Sequence, residues 1–373
     1  MNRNIRIFIS IGILVLAAAV GSVWIRGLPE KEPIRIGAIV ALSSAQGPVR
    51  EGVGIYEGML LATEEVNSRG GVNGRKIELI VKDSLRNPEA GKEAWNTIES
   101  AHQPLLYIVT HSSVATALAP LAEEQKVVLF ATLATDPRIT KKRDWVFRYW
   151  PTAKDEVPLI VAITKEVLHV DDLGILYLDD EFGRSIFSLL KEEFEKTGGV
   201  TVAEPFEVGL SDFRTKIVQL EDSDAIFAVG FPDHLENIFT QLKEGGFDGF
   251  TLSTNGPAAP YLRIQPAFEG VYVTTPLTYK QDFLPAQEVK EKYETQFAKP
   301  FNHYVASGYA MIRLLGDLLE DEEVSRESVK TLLEAGFIQP GVFGTVDGRP
   351  GEHDFSFPLQ AAQIVDGEVE YRY

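Results

Sequence analysis

The stretch at residues 34–83, IRIGAIVALSSAQGPVREGVGIYEGMLLATEEVNSRGGVNGRKIELIVKD, decides the fold. Its β-rich start, Ile34–Leu42, runs into a loop of Ser, Gly and Pro. Apolar residues then recur at helical spacing, at Ile55, Met59, Ala62 and Val66. The pair Gly70–Gly71 ends this helix, and a second strand follows at Lys76–Lys82. The stretch predicts a β-loop-α-β module, and open sheets of such modules bind small ligands at the carboxyl ends of their strands.

A second module of the same design begins at Leu173. It contains the strand LGILYL, the loop DDEFGRS, a helix at about Ser185–Lys196 and another terminating pair, Gly198–Gly199. Strands alternate with helical patterns along the rest of the chain, which indicates parallel sheets. Helices are predicted at Pro88–Ala101, Val114–Glu124, Asp233–Gly245, Ala286–Ala298, Tyr304–Leu319 and Arg326–Ala335. We therefore expect two α/β lobes of similar construction.

Composition excludes several classes of protein. The chain has 373 residues and a net charge of −18, and residues 33–373 alone carry −20. Such acidity argues against a nucleic-acid partner and against docking on an anionic membrane surface. The chain contains no cysteine, which excludes thiol chemistry, disulfides, cysteine-ligated metals and a lipid-anchored cysteine.

The N-terminus has the pattern of an export segment. Arg3 and Arg6 precede an uncharged run, Ile7–Ile25, and small residues at Ala17–Ala19 and Ala19–Gly21 offer cleavage sites. The run is also close to the ~20 residues that span a bilayer. Residues 1–32 are thus expected to be either a cleaved signal peptide or a retained membrane anchor, with the rest of the chain outside the cytoplasm in both cases.

The opening module resembles that of a known family. Glu65, Asn67, Gly70–Gly71, Gly74 and Asp83 match a motif of the type I periplasmic solute-binding proteins of the leucine/isoleucine/valine-binding family. The resemblance implies two Rossmann-like lobes with parallel-sheet cores, joined by a hinge that the chain crosses three times, near 150–154, 275–280 and 345–352. The first lobe is then expected to contain residues 33–152 and 278–347, and the second lobe residues 153–277 and 348–373.

Two loops of the first lobe are candidate ligand-binding segments. Ser113 is placed to cap a helix beginning near Val114, and capping alone is one explanation of the loop. The resemblance implies instead that Ser112 or Ser113 grips a ligand carboxylate together with backbone amides. In the next loop, Thr135 either caps a short helix or donates to the ligand, and Leu133 stands where the family usually has a small residue.

Matching loops are expected in the second lobe. The resemblance implies that Phe182 and Phe231 cover the apolar part of the ligand, each without the hydroxyl of the usual Tyr. Asn255 stands near the acidic residue with which amino-acid binders pair the ligand's ammonium, and it is neutral. Trp150, at the first crossing, either lines the pocket or packs under the hinge.

Other signals indicate no catalytic or cofactor chemistry. Gly52, Gly54 and Gly58 only approximate a dinucleotide fingerprint and lie inside a helix, and the six histidines lack ligand spacing. The acidic run Asp179–Glu181 is typical of a solvated loop, and no metal site or cofactor is expected. Tyr304 and Tyr309 are expected to pack. No nucleophile–base pair is recognisable, so the chain is not expected to be an enzyme.

The sequence therefore predicts an extracytoplasmic solute-binding component of an ABC importer of the branched-chain amino acid type. The expected ligand is a small amino acid, amide or organic acid, and the expected partner is a membrane permease. An extracytoplasmic ligand-sensing protein of the same fold is the alternative. Because Asn255 is neutral, we expect a carboxylate or amide with an apolar body rather than an ordinary amino acid, unless Asp179, Asp180 or Glu181 reaches the ligand's ammonium.

Overall fold

The computed structural model describes residues 31–372. The predicted signal peptide or anchor, residues 1–32, thus lies almost wholly outside the described residues. Between residues 31 and 372, no helix is both long enough and apolar enough to cross a membrane.

The first lobe is built on a five-stranded parallel sheet. Its strands are β1 (Ile34–Val40), β4 (Ile77–Asp83), β5 (Leu106–Thr110), β6 (Val128–Thr132) and β7 (Val146–Arg148). Their order across the sheet is β4-β1-β5-β6-β7, and all pairs are parallel. A small hairpin, β2 (Ser43–Ser44) and β3 (Gly47–Pro48), follows β1.

The second lobe is built on a seven-stranded sheet. Its strands are β8 (Asp172–Leu178), β9 (Val200–Phe206), β10 (Ala225–Val229), β11 (Phe250–Ser253), β12 (Tyr272–Thr275), β15 (Gln360–Val365) and β16 (Glu368–Tyr371). The order is β16-β15-β12-β11-β10-β8-β9. Strands β9-β8-β10-β11-β12 repeat the parallel order of the first lobe, and β15 and β16 extend it antiparallel. The expected likeness of the two lobes is thus present in their strand order.

Helices flank both sheets. They are α1 (Arg50–Ser68), α2 (Pro88–His102), α3 (Ser112–Gln125), α4 (Ala153–Ala162), α5 (Glu181–Lys196), α6 (Arg214–Val218), α7 (Pro232–Glu244), α8 (Pro260–Arg263), α9 (Leu284–Phe297), α10 (His303–Leu318) and α11 (Arg326–Ala335). A single π turn, Ile163–Val167, continues α4. A separate hairpin, β13 (Phe337–Gly341) and β14 (Gly344–Gly348), follows α11.

Local chemistry explains where several helices begin. The Asn87 side chain accepts hydrogen bonds from two amides of the first turn of α2, and Pro88 occupies the first helical position. Asp180 caps α5 by accepting from the Gly183 amide, at 2.9 Å. The predicted start of α5 at Ser185 is therefore wrong by four residues. The helix begins at Glu181, because Asp180 of the predicted acidic loop is its N-cap.

The residues that carry the family resemblance have structural roles. Asn67 joins α1 to β4, since its side chain accepts from the Ile77 amide at 2.7 Å and donates to the Ile77 carbonyl at 2.9 Å. Asp83 accepts from the Leu42 amide and the Ser43 hydroxyl, at 2.9 and 2.6 Å, and so fixes the loop after β1. The motif thus holds the first module together.

Glycines allow α1 to pack closely on α10. A Cβ added to Gly58 would lie 2.0 Å from the Val305 carbonyl oxygen, and one added to Gly308 would lie 1.9 Å from that of Ile55. Only glycine permits such an approach of two helix backbones. Gly52 is also packed on backbone, since an added Cβ would lie 1.7 Å from the Ala41 carbonyl oxygen, so two of the three glycines that approximate a dinucleotide fingerprint are packing residues.

The chain passes between the two cores three times. It does so after β7, after β12 and before β15, because the elements between β12 and β15 pack in the first core. Phe355 and Phe357 still belong to the first core, although they follow the third predicted crossing. The residue limits of the two lobes stay predictions.

Candidate ligand-binding site

A cavity of about 50 Å³ lies between the lobes, where the carboxyl ends of both parallel sheets face each other. It is lined from the first lobe and its crossings by Glu51, His111, Leu133, Thr135, Trp150 and Tyr304, and from the second lobe by Glu156, Phe182, Gly230, Phe231, Pro232, Thr254, Asn255 and Gly256. Open α/β sheets bind ligands at this edge. Residues 31–372 contain no group of three or more His, Cys, Asp or Glu side chains that could hold a metal ion.

Six residues that the sequence singled out meet at this cavity. They are Leu133, Thr135, Trp150, Phe182, Phe231 and Asn255. Ser112 and Ser113 do not line it. The loop that follows β5 instead reaches the cavity through His111, which sequence reasoning did not select.

The serines of that loop have other roles. Helix α3 begins at Ser112 and is preceded by His111, so the predicted capping by Ser113 is wrong. The buried Ser112 hydroxyl accepts a hydrogen bond from the Thr135 amide, at 3.2 Å. Ser112 therefore ties together the two first-lobe loops that reach the cavity.

Both of these loops contain a residue with left-handed backbone geometry. The φ angle is +72° at His111 and +50° at Leu133. Residues other than glycine rarely adopt a positive φ angle. Those that do are concentrated at functional sites, where the surrounding structure holds the strained backbone in place. The short helix that Thr135 was predicted to cap is absent, because residues 137–142 form turns. The Thr135 hydroxyl lies 3.1 Å from that of Ser185, across the cleft.

Arg148 holds the second loop from behind. Its fully buried guanidinium donates to the carbonyls of Ala134 and Asp136, at 3.1 and 2.5 Å. It also donates to Asp354 Oδ1 at 2.6 Å. One side chain therefore connects a cavity loop with the segment before β15, where the chain passes between the cores.

A buried charge pair lies at the first-lobe side of the cavity. Glu51, in the first turn of α1, pairs with the Arg86 guanidinium, and the His111 Nε2 lies 3.6 Å from the same carboxylate oxygen, Glu51 Oε1. Burial acts to raise the pKa of Glu51, but His111 and Arg86 outweigh it and lower that pKa to about 2. Burial also lowers the pKa of His111, so its ring is neutral near pH 7. The carboxylate is thus ionised, and Arg86 compensates its charge.

Arg86 also reaches the second lobe. Its guanidinium carbon lies 4.2 Å from the centre of the Phe231 ring, and its Nη1 lies 3.5 Å from Asp233 Oδ1. A second cavity of about 300 Å³ lies beside the first and is lined by both Arg86 and Glu51. Arg86 lines this second cavity and is not among the residues that line the first one.

Glu156 is the other acidic residue of the cavity. It lies in the first turn of α4, is 1% exposed and accepts a hydrogen bond from the Thr274 hydroxyl, at 3.2 Å. Burial raises the pKa of Glu156 to about 8, and the neighbouring charge of Asp155 adds to this rise. The side chain is therefore a neutral acid in the free protein at pH 7.

Aromatic rings form the apolar walls. Trp150 stacks on Tyr304 with ring centres 6.3 Å apart and an interplanar angle of 7°. Phe182 and Phe231 are near-parallel, at 6.2 Å and 17°. Trp150 thus both packs and lines the cavity, and Tyr304, which was expected only to pack, lines it too.

The acidic loop does not supply a ligand carboxylate in this arrangement. Asp180 is occupied as the cap of α5, and Asp179 pairs with Arg184 at 2.6 Å. Asp179, Asp180 and Glu181 do not line the cavity. The alternative in which one of them reaches the ligand's ammonium is therefore not supported by this arrangement, and Glu51 and Glu156 are the carboxyl groups that line the cavity.

Sequence reasoning missed three ionisable residues at or beside the cavity: Glu51, Arg86 and Glu156. Glu51 and Arg86 follow the first two strands of the opening module, β1 and β4, which end at the same sheet edge. The signal in the sequence that could have identified these two residues is a charged residue shortly after each of two adjacent parallel strands. Glu156 had no such signal, because the helix that contains it was not predicted.

Comparison with known proteins agrees with this geometry. The family model described as periplasmic binding protein matches residues 33–368. A leucine-, isoleucine-, valine-, threonine- and alanine-binding protein of Pseudomonas aeruginosa is 24% identical over 304 residues, 78% of this chain and 80% of that protein.

Solved structures share the fold. A leucine-binding protein from Thermotoga maritima is 22% identical with a TM-score of 0.83, over 91% of this chain and 98% of that chain. An ABC transporter solute-binding protein from Rhodopseudomonas palustris, in complex with 3,4-dihydroxybenzoic acid, is 21% identical with a TM-score of 0.79, over 91% and 95%. The resemblance predicted from the opening module is confirmed: the chain belongs to the type I periplasmic binding proteins of the leucine/isoleucine/valine-binding family.

Proposed function

We propose that the chain is the extracytoplasmic solute-binding component of an ABC importer of the branched-chain amino acid type. One observation supports this most directly: two sheets of the same strand order face each other across a cavity that both lobes line. The relatives of the chain include leucine-, isoleucine- and valine-binding proteins, which supports the same role. The ligand class is a small amino acid, amide or organic acid.

The ligand contacts follow from the cavity wall. Thr135 and Asn255 supply neutral hydrogen-bonding groups from opposite lobes, and Phe182, Phe231 and Trp150 enclose an apolar part. Leu133 narrows the cavity on its first-lobe side. Ser112 acts on the ligand indirectly, by fixing the Thr135 amide.

Closure couples binding to transport. A ligand that touches both lobes stabilises the closed arrangement only to the extent that it binds the closed protein more tightly than the open protein. The closed lobes then present a joint surface to a membrane permease, and the solute is released unchanged. Residues 1–32 direct export, as a cleaved signal or as a tether.

A ligand screen tests the binding role. Residues 31–373 are screened by thermal shift against amino acids, amides and small organic acids, and hits are measured by calorimetry and small-angle scattering. We expect a hit that raises the melting temperature and is recovered chemically unchanged. A lack of any hit across these classes would contradict the proposal, as would turnover of the bound compound.

Fractionation tests the export role. Membrane and soluble fractions of cells expressing the full chain are separated, and the mature N-terminus is sequenced. A mature chain outside the cytoplasm is expected, beginning near residue 20 if the segment is cleaved or at residue 1 if it is retained. Recovery of the full chain only in the cytoplasm would contradict export.

A further inference from the structure

The second cavity, at the rim of the cleft, adjoins the first. It has a volume of about 300 Å³, and Glu51 and Pro232 line both cavities. The first cavity, at about 50 Å³, is much smaller than the range of about 300–1,000 Å³ that is usual for small-molecule pockets. A solute of ordinary size therefore needs more room than the first cavity offers, and the adjoining cavity supplies it.

Three polar atoms at the second cavity are buried without a hydrogen bond. They are Arg86 Nε, Asp233 Oδ1 and the Tyr261 hydroxyl, and all three residues line this cavity. No residue between 31 and 372 supplies a hydrogen-bond partner to any of these atoms. The Arg86 side chain is itself only 10% exposed. Buried polar groups are normally hydrogen-bonded, so three unpaired ones at one cavity point to a bound group that pairs with them.

These atoms lie on both sides of the cleft. Arg86 follows β4 of the first lobe, whereas Asp233 lies in the first turn of α7 and Tyr261 lies in α8, both in the second lobe. Arg86 Nη1 is 3.5 Å from Asp233 Oδ1, close enough for an ion pair but without a hydrogen bond. A group bound among the three atoms would therefore contact both lobes and favour their closed arrangement.

The chemistry of the lining favours an uncharged polar occupant. The charge of Arg86 is compensated by Glu51, and the cavity is also lined by Arg50, Asp233 and Glu236. An anionic group would therefore meet further carboxyl groups. An ammonium has no lone pair with which to accept a hydrogen bond from Arg86 Nε, and an alkyl group would leave all three buried atoms unpaired.

We propose that the second cavity is a subsite for a carboxamide group of the solute, which extends into it from the first cavity. A primary carboxamide carries its acceptor and its donor on separate atoms. Its oxygen accepts from Arg86 Nε and from the Tyr261 hydroxyl, and its nitrogen donates to Asp233 Oδ1, so that all three atoms gain a partner. The inference rests on the proposed function, because it names the class of solute that the same cleft takes.

Sets of matched compounds test this class. Within each set the far end of one skeleton is a carboxamide, an isopropyl group or a carboxylate. The sets are L-asparagine, L-leucine and L-aspartate; L-glutamine, L-5-methylnorleucine and L-glutamate; and succinamate, 4-methylpentanoate and succinate. Calorimetry with the wild-type protein measures their affinities. We expect at least one carboxamide to bind, and to bind at least about tenfold more tightly than both of its counterparts.

A variant tests the residues of the subsite. Tyr261→Phe removes one of the three atoms and keeps the ring that lies beside Arg50. Because the hydroxyl is unpaired in the free protein, its loss should not lower the free energy of unfolding. The variant should bind the carboxamide about threefold to tenfold more weakly and the isopropyl counterpart as the wild type does. Tyr272→Phe, at the amino end of β12 and thus away from the cleft, is the matched control and should change neither affinity.

A crystal structure of the wild-type protein with the tightest-binding carboxamide locates the group without any variant. We expect the amide within hydrogen-bonding distance of Arg86 Nε and Asp233 Oδ1. An amide found outside the second cavity overturns the inference and leaves the solute-binding role intact. So does an isopropyl or carboxylate compound that binds as tightly as its carboxamide, or a Tyr261→Phe variant that treats the carboxamide and its isopropyl counterpart alike.

The absence of binding is equally decisive. If every carboxamide fails while another compound of the broad ligand screen binds, the inference is overturned and the proposed function stands. If no compound of either panel binds at millimolar concentration, the inference is overturned and the proposed function loses its support as well.

Discussion

The guanidinium carbon of Arg86 lies 4.2 Å from the centre of the Phe231 ring, on the opposite side of the cleft. The same guanidinium pairs with Glu51 in its own lobe and lies 3.5 Å from Asp233 in the other. Arg50 adds a parallel contact, 4.8 Å from the Tyr261 ring. Cationic side chains of the first lobe thus rest on aromatic rings of the second, at the rim of the ligand cavity.

Arg86→Lys should shift the lobes toward the open arrangement. Lysine keeps a charge beside Glu51 but loses the planar group that lies over Phe231. A lost cation–π contact of about 1 kcal/mol changes the open–closed equilibrium about fivefold. Small-angle scattering of the ligand-free protein should show a larger radius of gyration. Arg313→Lys, which affects only a surface pair with Asp317, is the control, and identical scattering of the two variants would contradict the prediction.

Glu51 should contribute to acid unfolding. Its pKa falls from 4.5 in the unfolded chain to about 2 in the folded protein, because the His111 contact and the Arg86 charge outweigh burial. A lowered folded-state pKa gives stability that is present above about pH 4.5 and is lost as the pH falls toward 2. The loss amounts to about 3 kcal/mol.

The measurement is chemical unfolding between pH 2 and 6. Glu51→Gln should be less stable than the wild type near pH 6, since it leaves Arg86 without its buried partner, and should show a flatter pH dependence. Lys82→Gln, at an exposed position on β4, is a control for changed surface charge. Equal slopes in wild type and Glu51→Gln would show that the pair is not formed.

Much of the fold could be predicted from periodicity. The helix Arg326–Ala335 has the predicted limits, and the strand predicted at Lys76–Lys82 is present at Ile77–Asp83. Helix α4 was not predicted, because two prolines and a run of β-branched residues obscure its period. The structure shows how it forms despite Pro158, which lies inside the helix: Thr152 and Asp155 make a capping box at its start. The π turn that follows is a further departure from regular spacing.

The candidate site was predictable only in part. Thr135 and Asn255 were selected because each follows a predicted strand and because the family resemblance implies ligand-binding loops at these places. Glu51 and Glu156 lie in the first turns of helices, where an acidic residue is ordinary because it stabilises the helix N-terminus. Their exposure to the cavity depends on how the two lobes meet. No local pattern contains that information.

Ser112→Ala should destabilise the protein more than Ser113→Ala does. Ser112 accepts a buried hydrogen bond from the Thr135 amide, and its removal leaves that amide unpaired at a cost of about 1–3 kcal/mol. Ser113 is half-buried and caps no helix, so its replacement should cost within about 0.5 kcal/mol. Denaturant unfolding of the two variants compares them directly. A larger loss of stability in Ser113→Ala than in Ser112→Ala would contradict this prediction and would indicate that Ser113 is the functional serine of the loop.

Arg148→Met should weaken both the fold and ligand binding. The variant retains much of the side-chain volume but removes the donor of two buried loop carbonyls and leaves Asp354 with only the Thr140 hydroxyl as a side-chain partner among residues 31–372. An unpaired buried carbonyl costs about 1–3 kcal/mol, and the pair with Asp354, whose side chain is 35% exposed, adds less than a fully buried ion pair would. Unfolding experiments should show that loss, and calorimetry with a ligand from the screen should show weaker binding in the protein that remains folded. Arg143→Met, on a nearby turn, should change neither quantity.

Glu156→Gln should stabilise the ligand-free protein at alkaline pH and leave its stability unchanged at acidic pH. The pKa of Glu156 rises from 4.5 in the unfolded chain to about 8 in the folded protein because of burial. A raised folded-state pKa means that the native state binds more protons, so stability falls as the pH rises from about 4.5 to 8. By pH 8 this cost reaches about 4 kcal/mol in the wild type, and a neutral glutamine avoids it. Unfolding free energies at pH 4 and pH 8 measure the difference, with Glu166→Gln as the surface control. A glutamine variant that is no more stable than the wild type at pH 8 would mean that Glu156 is already ionised there, and would place a cation of the protein beside it.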